Sequence, residues 1–206
     1  MKYSLGLDIG VTSVGWAVID EDKKRIHNLG VRIFERAEHP KDGSSLAAPR
    51  REARSARRRL KRRRQRLNTL KRFFIDKQLL TKEQIESILL RPNDPYQLRV
   101  KALDERLTNE ELFVALYHLA KRRGYKSNRK VEDETDTASE NGRVLQALKA
   151  NEALLATKGY RTAGEALLKD EAYATNKRNK RDSYTNSFAR KDFTAELEAI
   201  IARQRG

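Results

Sequence analysis

The chain of 206 residues has no cysteine, which excludes disulfides and thiolate chemistry and suits a reducing compartment. No run approaches the roughly 20 apolar residues needed to span a bilayer. No cleavable apolar segment opens the N-terminus. These features lead us to expect a soluble cytoplasmic protein with no membrane partner. Histidine is scarce: His27, His39 and His118 are scattered without ligand spacing, and none is assigned to metal or acid–base work. Apolar residues make up 38% and charged residues 36%, so any core must be small and built from amphipathic elements in one or two modest domains.

What is most conspicuously missing is acid, in one place. From Arg50 to Arg72, eleven arginines and two lysines face only Glu52, and this net +12 is most of the chain's +16. The isoelectric point is near 10.1. Side chains of one sign packed this closely repel each other unless a polyanion neutralises them. Three zones follow one another: an apolar, glycine-punctuated start over 1–36, the basic segment over 49–77, and short amphipathic helices from about 81.

The first zone, "KYSLGLDIGVTSVGWAVIDEDKKRI", alternates apolar residues, breaks at "GVTS" and resumes. The pattern predicts antiparallel strands over 2–9 and 14–20 around a tight glycine turn, with a third strand over 28–35. Asp8 falls inside the first strand, where a carboxylate is expensive to bury unless it holds a cation or a hydrogen-bond donor. Asp20 and Asp22, at the strand end, read as solvated turn residues. Two superfamilies carry G-x-D-x-G on a first hairpin. In ribonuclease H-like nucleases the strand aspartate is a Mg²⁺ ligand. In actin, heat-shock and sugar-kinase ATPases the hairpin cradles nucleotide phosphates. A structural aspartate bonded to backbone amides is the third reading, and the hairpin alone leaves all three open.

The basic segment has a narrow apolar seam, Ala53, Ala56, Leu60, Leu67, Leu70 and Phe74, at spacings of three, four and seven. That spacing predicts one helix over 49–77, about 43 Å long, with Pro49 in its first turn. Arginine's planar fork binds phosphate bidentately and stacks on bases, so the bias over lysine points to a nucleic-acid backbone. A localisation signal is usually shorter, and a membrane-surface helix needs a broader face of bulky apolar residues. The candidate contacts on this helix are Arg50, Arg51, Arg54, Arg57, Arg58, Arg59, Lys61, Arg62, Arg63, Arg64 and Arg66.

Beyond it, Thr81 with Gln84 and Thr108 with Glu111 read as capping boxes, and "RPNDP" breaks the first of the short helices. The helix opened by Thr108 presents Leu112, Ala115, Leu116 and Leu119 as ordinary core and closes at Gly124 as C-cap. A second basic cluster, Lys121, Arg122, Arg123, Tyr125, Lys126, Asn128, Arg129 and Lys130, sits at its exit. Basic residues near a helix C-terminus offset the dipole, which explains the first three. Phosphate contacts, with Tyr125 stacking on a base or ribose, better explain the run's continuation into the loop. "VEDETDTASENG" reads as flexible, Thr162 with Glu165 as another capping box, and "DFTAELEAIIARQ" as a helix burying Phe193, Leu197, Ile200 and Ile201. The stretch "AYATNKRNKRDSYTNSFARKD" is basic with interspersed aromatics, and reads equally as RNA-binding surface or solvated loop.

The order of these parts resembles the type II CRISPR RNA-guided DNA endonucleases (the Cas nine family), particularly their compact type II-C-like branch. The resemblance rests on "GLDIGVTSVGWAVID", on "LGVRIFERAEHPKDGSSLAAPRREARSARRRLKRRRQRL" and on "LAKRRGYKSNRK". It implies an α+β, mostly α chain: a short ribonuclease H-like hairpin plus third strand, a long arginine-rich helix and an α-helical recognition domain. The corresponding domains are a RuvC-like segment at 1–48, a bridge helix at 49–78 and a recognition-lobe region at 79–206. In that family the residue at the position of Asp8 is a Mg²⁺ ligand and catalytic group. The bridge-helix arginines hold the guide RNA's seed, and the lobe holds the guide's repeat duplex (crRNA with tracrRNA) and its hybrid with target DNA. The family's proteins are several times longer, so the remaining carboxylates of the nuclease site would lie in the remainder of the endonuclease chain. The resemblance therefore implies that these 206 residues do not cleave DNA alone. An acidic phage-encoded inhibitor acting as a phosphate mimic is a further expected partner.

Overall fold

The structure, a computed structural model, describes residues 2–10, 12–35, 38–39, 41–126, 140–180 and 183–205. Three strands, β1 (Tyr3–Ile9), β2 (Ser13–Asp20) and β3 (Arg25–Ile33), precede seven α-helices. The helices are α1 (Ala48–Asp76), α2 (Lys82–Leu90), α3 (Pro95–Asp104), α4 (Asn109–Lys121), α5 (Glu140–Lys158), α6 (Ala163–Lys169) and α7 (Arg190–Arg205). The chain is thus α+β and mostly α. It divides into two compact units, 1–61 and 62–206, with the division falling inside α1.

The first unit holds an antiparallel sheet of order β1-β2-β3. The third strand starts and ends earlier than its apolar pattern suggested, because pairing with β2 recruits Arg25, Ile26 and His27. A register shift opposite Val18 and Ile19 marks a bulge at His27. Alternation puts Tyr3, Leu5, Leu7 and Ile9 on one face with Val14, Trp16 and Val18. Ile19, Ile26, Leu29 and Val31 lie on the other, with Asp8. Both faces are therefore apolar, as in a sheet covered on each side, yet Leu29 is 63% and Ile9 74% exposed. The indole of Trp16 lies flat over Gly30, where a Cβ would fall 2.7 Å from the ring.

Asp20 corrects its sequence reading. It is buried rather than solvated. Its Oδ1 accepts the backbone N–H groups of Asp22 (3.1 Å) and Lys23 (3.0 Å), so it ties the β2–β3 turn. Asp22 is exposed, as expected of a turn residue, and accepts the N–H of Lys2.

The second unit is helical, and local chemistry sets most of its boundaries. Thr81 and Gln84 exchange hydrogen bonds of 3.2 and 2.7 Å at the start of α2. Thr108 and Glu111 do the same at the start of α4 (3.3 and 3.0 Å). Asp94 caps α3 through the N–H groups of Tyr96 and Gln97, with Pro95 in the first helical position. At α6 only half of the expected box forms. Thr162 accepts from the Glu165 N–H, but the Glu165 carboxylate turns to the backbone N–H of Arg161 and its guanidinium. The segment read as flexible lies mostly outside the described residues, and its last three residues, 140–142, belong to α5.

The seam of α1 is buried at its end. Phe74 packs with Leu80, Ile85, Ile88 and Phe113, and Leu70 lies against them, whereas Leu60 is 65% exposed. A second cluster joins Ala102, Leu107, Ala115, Leu119 and Ile200. A third joins Tyr96, Ala163, Ala166, Leu167, Tyr173 and Phe188. Between them lies a buried ion pair, Arg99 on α3 with Glu196 on α7. Glu196 also accepts the N–H of Gly164 (2.8 Å), so one carboxylate joins α3, α6 and α7.

Candidate nucleic-acid interface

The candidate contacts fall into two groups according to the unit that carries them. In the first unit, Arg50, Arg51, Arg54, Arg57, Arg58, Arg59 and Lys61 project from α1 and are all exposed. None makes an ion pair among the described residues, so the helix face is not neutralised by the unit's own acids. Asp8 is exposed on β1, opposite Gly15, whose missing side chain leaves the carboxylate's face of the sheet open. Among the described residues no group of three or more His, Cys, Asp or Glu could hold a metal ion. A carboxylate such as that of Asp8 can supply one oxygen ligand to a divalent cation, and the described residues around it do not complete a coordination shell.

In the second unit the last turns of the arginine-rich stretch meet the exit of α4. Arg66 donates its Nε–H to the carbonyl of Ala120 at 2.6 Å, satisfying a C-terminal carbonyl of α4. Burial, with Arg123, Arg190 and Arg63 close by, holds the Arg66 guanidinium below its ordinary pKa. Burial, then Arg63, Arg122 and Arg178, does the same to Lys121. Arg63, Arg66, Lys121, Arg122 and Arg123 thus share one positive field, joined by Arg178 and Arg190 from a part of the chain that the sequence left unassigned. Arg62 and Arg64 are exposed on the same helix. Asn128, Arg129 and Lys130 lie outside the described residues.

Helix α4 ends sooner than expected. Lys121 is its last residue and Arg122 its C-cap, donating its N–H to His118 and Leu119. Gly124 is not the cap, but the turn needs it: its φ is 75°, and a Cβ there would fall 2.6 Å from the carbonyl oxygen of Ala189. After that turn Tyr125 pairs with a distant segment. Its N–H donates to the Phe188 carbonyl (2.9 Å) and its carbonyl accepts from the Arg190 N–H (2.7 Å). This parallel bridge brings the basic exit of α4 onto the start of α7. Lys126 follows, exposed.

Beneath this surface Arg99 binds His118. Its Nη1 donates to Nδ1 at 3.2 Å, which fixes the proton of the neutral imidazole on Nε2. Burial, and then the charges of Arg99, Arg122, Arg178 and Lys121, push the His118 pKa down to about 3. His118 is thus a neutral support under a cationic surface.

The described residues thus form a short antiparallel sheet, one long arginine-rich helix and a helical unit with a basic, aromatic-edged surface. The chain is homologous to the N-terminal region of the Cas9 family of CRISPR-associated endonucleases. It is 39% identical over its whole length to the CRISPR-associated endonuclease Cas9 of Campylobacter jejuni, covering 22% of that protein. It is 38% identical over 83% of its length to Cas9 1 of Streptococcus thermophilus, covering 14% of it. The fold matches the crystal structure of Campylobacter jejuni Cas9 in complex with sgRNA and target DNA. That match has a TM-score of 0.67 and 37% identity, and covers the whole chain and 27% of the other. It also matches a St1Cas9 complex with sgRNA, target DNA and AcrIIA6, at a TM-score of 0.61 and 30% identity over 99% of the chain and 23% of the other. No family model matches the sequence. The chain spans about a fifth of the length of the first of these relatives.

Proposed function

We propose that these residues are the RNA-gripping N-terminal portion of a Mg²⁺-dependent, RNA-guided DNA endonuclease of bacterial antiviral defence, working in the cytoplasm. No helix among the described residues is long and apolar enough to cross a membrane. In this reading residues 1–48 are a RuvC-like segment, 49–78 the bridge helix and 79–206 the start of the recognition lobe. The observation that carries it is the joining of Arg63, Arg66, Lys121, Arg122 and Arg123 in one positive field, none of them in an ion pair with an acid among the described residues. A structural surface of that density would mix signs, whereas a phosphate backbone supplies the missing negative charge from outside.

The arginines of α1 contact the guide RNA through phosphate oxygens, fixing register without reading sequence. Guanidinium groups spaced along a rigid helix lose little entropy on binding, since the backbone is already ordered. In the second unit the exit of α4, with Arg63 and Arg66, meets the guide's repeat-derived crRNA–tracrRNA duplex and the hybrid with target DNA. Asp8 contributes one carboxylate to a Mg²⁺ site. When bound there, the metal would stabilise the attacking and leaving oxygens of a phosphodiester. Carboxylates from the remainder of the endonuclease chain complete that site, so this portion alone does not cleave DNA. An acidic inhibitor protein would compete with RNA for the same arginines.

Filter binding of the chain to its guide RNA tests this reading. Binding that weakens steeply with salt and is displaced by an acidic protein supports it. Binding no tighter than that of an uncharged helical protein would sink it.

A further inference from the structure

The second unit contains a cleft of about 580 Å³, walled by three segments far apart in sequence. The exit of α4 forms one wall, and the 186–190 segment bridged to Tyr125 forms another. Residues 177–179 form the third, held in place by two bonds: Asn179 donates to the Ser187 hydroxyl (2.8 Å), and the Asn186 N–H donates to Asn179 Oδ1 (2.8 Å). Seven cationic side chains line the cleft, Arg99, Lys121, Arg122, Arg123, Lys177, Arg178 and Arg190, and among the described residues no aspartate or glutamate does; of the seven, Arg99 is already paired with Glu196.

Two of those guanidinium groups are incompletely satisfied. The Nε atoms of Arg122 and Arg190 are buried, and neither has a hydrogen-bond partner among the described residues. A buried donor without a partner is destabilising, and charge raises the penalty. Burial and the neighbouring Arg178 hold the Arg122 pKa down, and burial and Arg123 do the same to Arg190. Such mutual repulsion around buried donors is relieved by one anion entering from solvent. The aromatic lining sets the kind of anion. Tyr125 lines the cleft beside these cations, and an aromatic ring there can stack on a base or ribose.

We infer that this cleft takes one nucleotide of the bound RNA, its phosphate held by Arg122, Arg178 and Arg190 and its sugar or base laid on Tyr125. The volume, about 580 Å³, admits a single nucleotide with water. A base laid on Tyr125 has left its duplex, so the RNA strand enters at an unpaired position, a loop, bulge or junction. The inference rests on the RNA-binding reading and adds to it a defined subsite, including residues 177–179 and 186–190, which sequence alone could not assign.

The test uses the chain with a mixed-sequence single-stranded RNA containing thiouridine. Photo-crosslinks are expected in peptides covering 121–126 and 177–190 as well as in α1. In Arg122→Gln/Arg178→Gln the cleft crosslinks should vanish. Affinity should then fall about tenfold, and the salt slope should drop by about 0.7, the single-strand value for one phosphate. Arg122→Lys/Arg178→Lys, which keeps charge, should retain most of the affinity, and an unchanged circular dichroism melt in both variants excludes misfolding. Tyr125→Ala should lose the crosslink while Tyr125→Phe keeps it. Crosslinks confined to α1, or an unchanged salt slope in the glutamine variant, would overturn the subsite and leave the helix reading standing. No RNA binding at all would remove the function and the subsite together. Polyglutamate protecting the cleft while RNA occupies α1 would assign it to an acidic protein instead.

Discussion

Arg99 and Glu196 meet side by side with no solvent exposure, Nε donating to one carboxylate oxygen at 2.6 Å and Nη2 to the other at 2.8 Å. The guanidinium also lies against the rings of Tyr96 and Phe193, at 5.4 and 5.2 Å. Removing one partner strands a buried charge. Glu196→Ala should destabilise the helical unit by about 3–5 kcal/mol, whereas Arg99→Met/Glu196→Leu should lose much less. Urea denaturation of the wild type and both variants checks this, and equal losses in the single and double variants would refute the assignment of strain to the unpaired charge. Gly164→Ala should act in the same direction, since its Cβ would come within 2.5 Å of the Glu196 carboxylate.

His118 makes the stability of the helical unit pH-dependent. Its folded pKa of about 3 lies below the ordinary 6.5, because burial and the surrounding cations disfavour the imidazolium. The unfolded chain therefore binds the extra proton first. The stabilisation is complete above pH 6.5 and is lost as pH falls towards 3. Between pH 6.5 and the ordinary glutamate value of 4.5, stability should drop by about 2 kcal/mol. Denaturant midpoints across that interval should decline in the wild type and flatten in His118→Gln.

If six to eight phosphates are contacted, the logarithm of RNA affinity should fall with the logarithm of salt at a slope of about −4 to −6. Replacing Arg57, Arg58, Arg62 and Arg63 with alanine should make the slope shallower by about 2 to 3. Titrations at several salt concentrations measure it, and an unaltered slope would take α1 out of the interface.

Asp8 is expected to be silent in this chain tested alone. Plasmid nicking with Mg²⁺ should be absent in both the wild type and Asp8→Ala. In the full-length endonuclease the same substitution should abolish cleavage of one DNA strand. Mg²⁺-dependent nicking by the 206 residues that disappears in Asp8→Ala would contradict the proposed division of the site.

Features governed by neighbours in sequence were readable in advance. The arginine-rich helix, the Thr81 and Thr108 capping boxes and the buried face of α4 each depend on residues within a turn or two. What escaped detection depends on partners far along the chain. Glu196 lies 97 positions from Arg99, so nothing near it in sequence announces its burial. Thr162 and Glu165 match a capping box, but Arg161 offers the carboxylate a stronger partner, and charge outcompetes the local motif. The end of α4 was misplaced because Gly124 serves a bridge to Ala189 rather than a cap, and no local signal announces that pairing. The same bridge sets Lys177, Arg178 and Arg190 around the exit of α4, and without it their stretch read equally as RNA-binding surface or solvated loop.

Trp16 is the sole tryptophan, stacked on Gly30 within the sheet, while six of the seven tyrosines belong to the helical unit. Red-edge excitation of intrinsic fluorescence therefore reports on the strands alone, whereas far-ultraviolet ellipticity is dominated by the helices. The molecule carries a built-in pair of spectroscopic channels, through which melting of either half can be followed without a label.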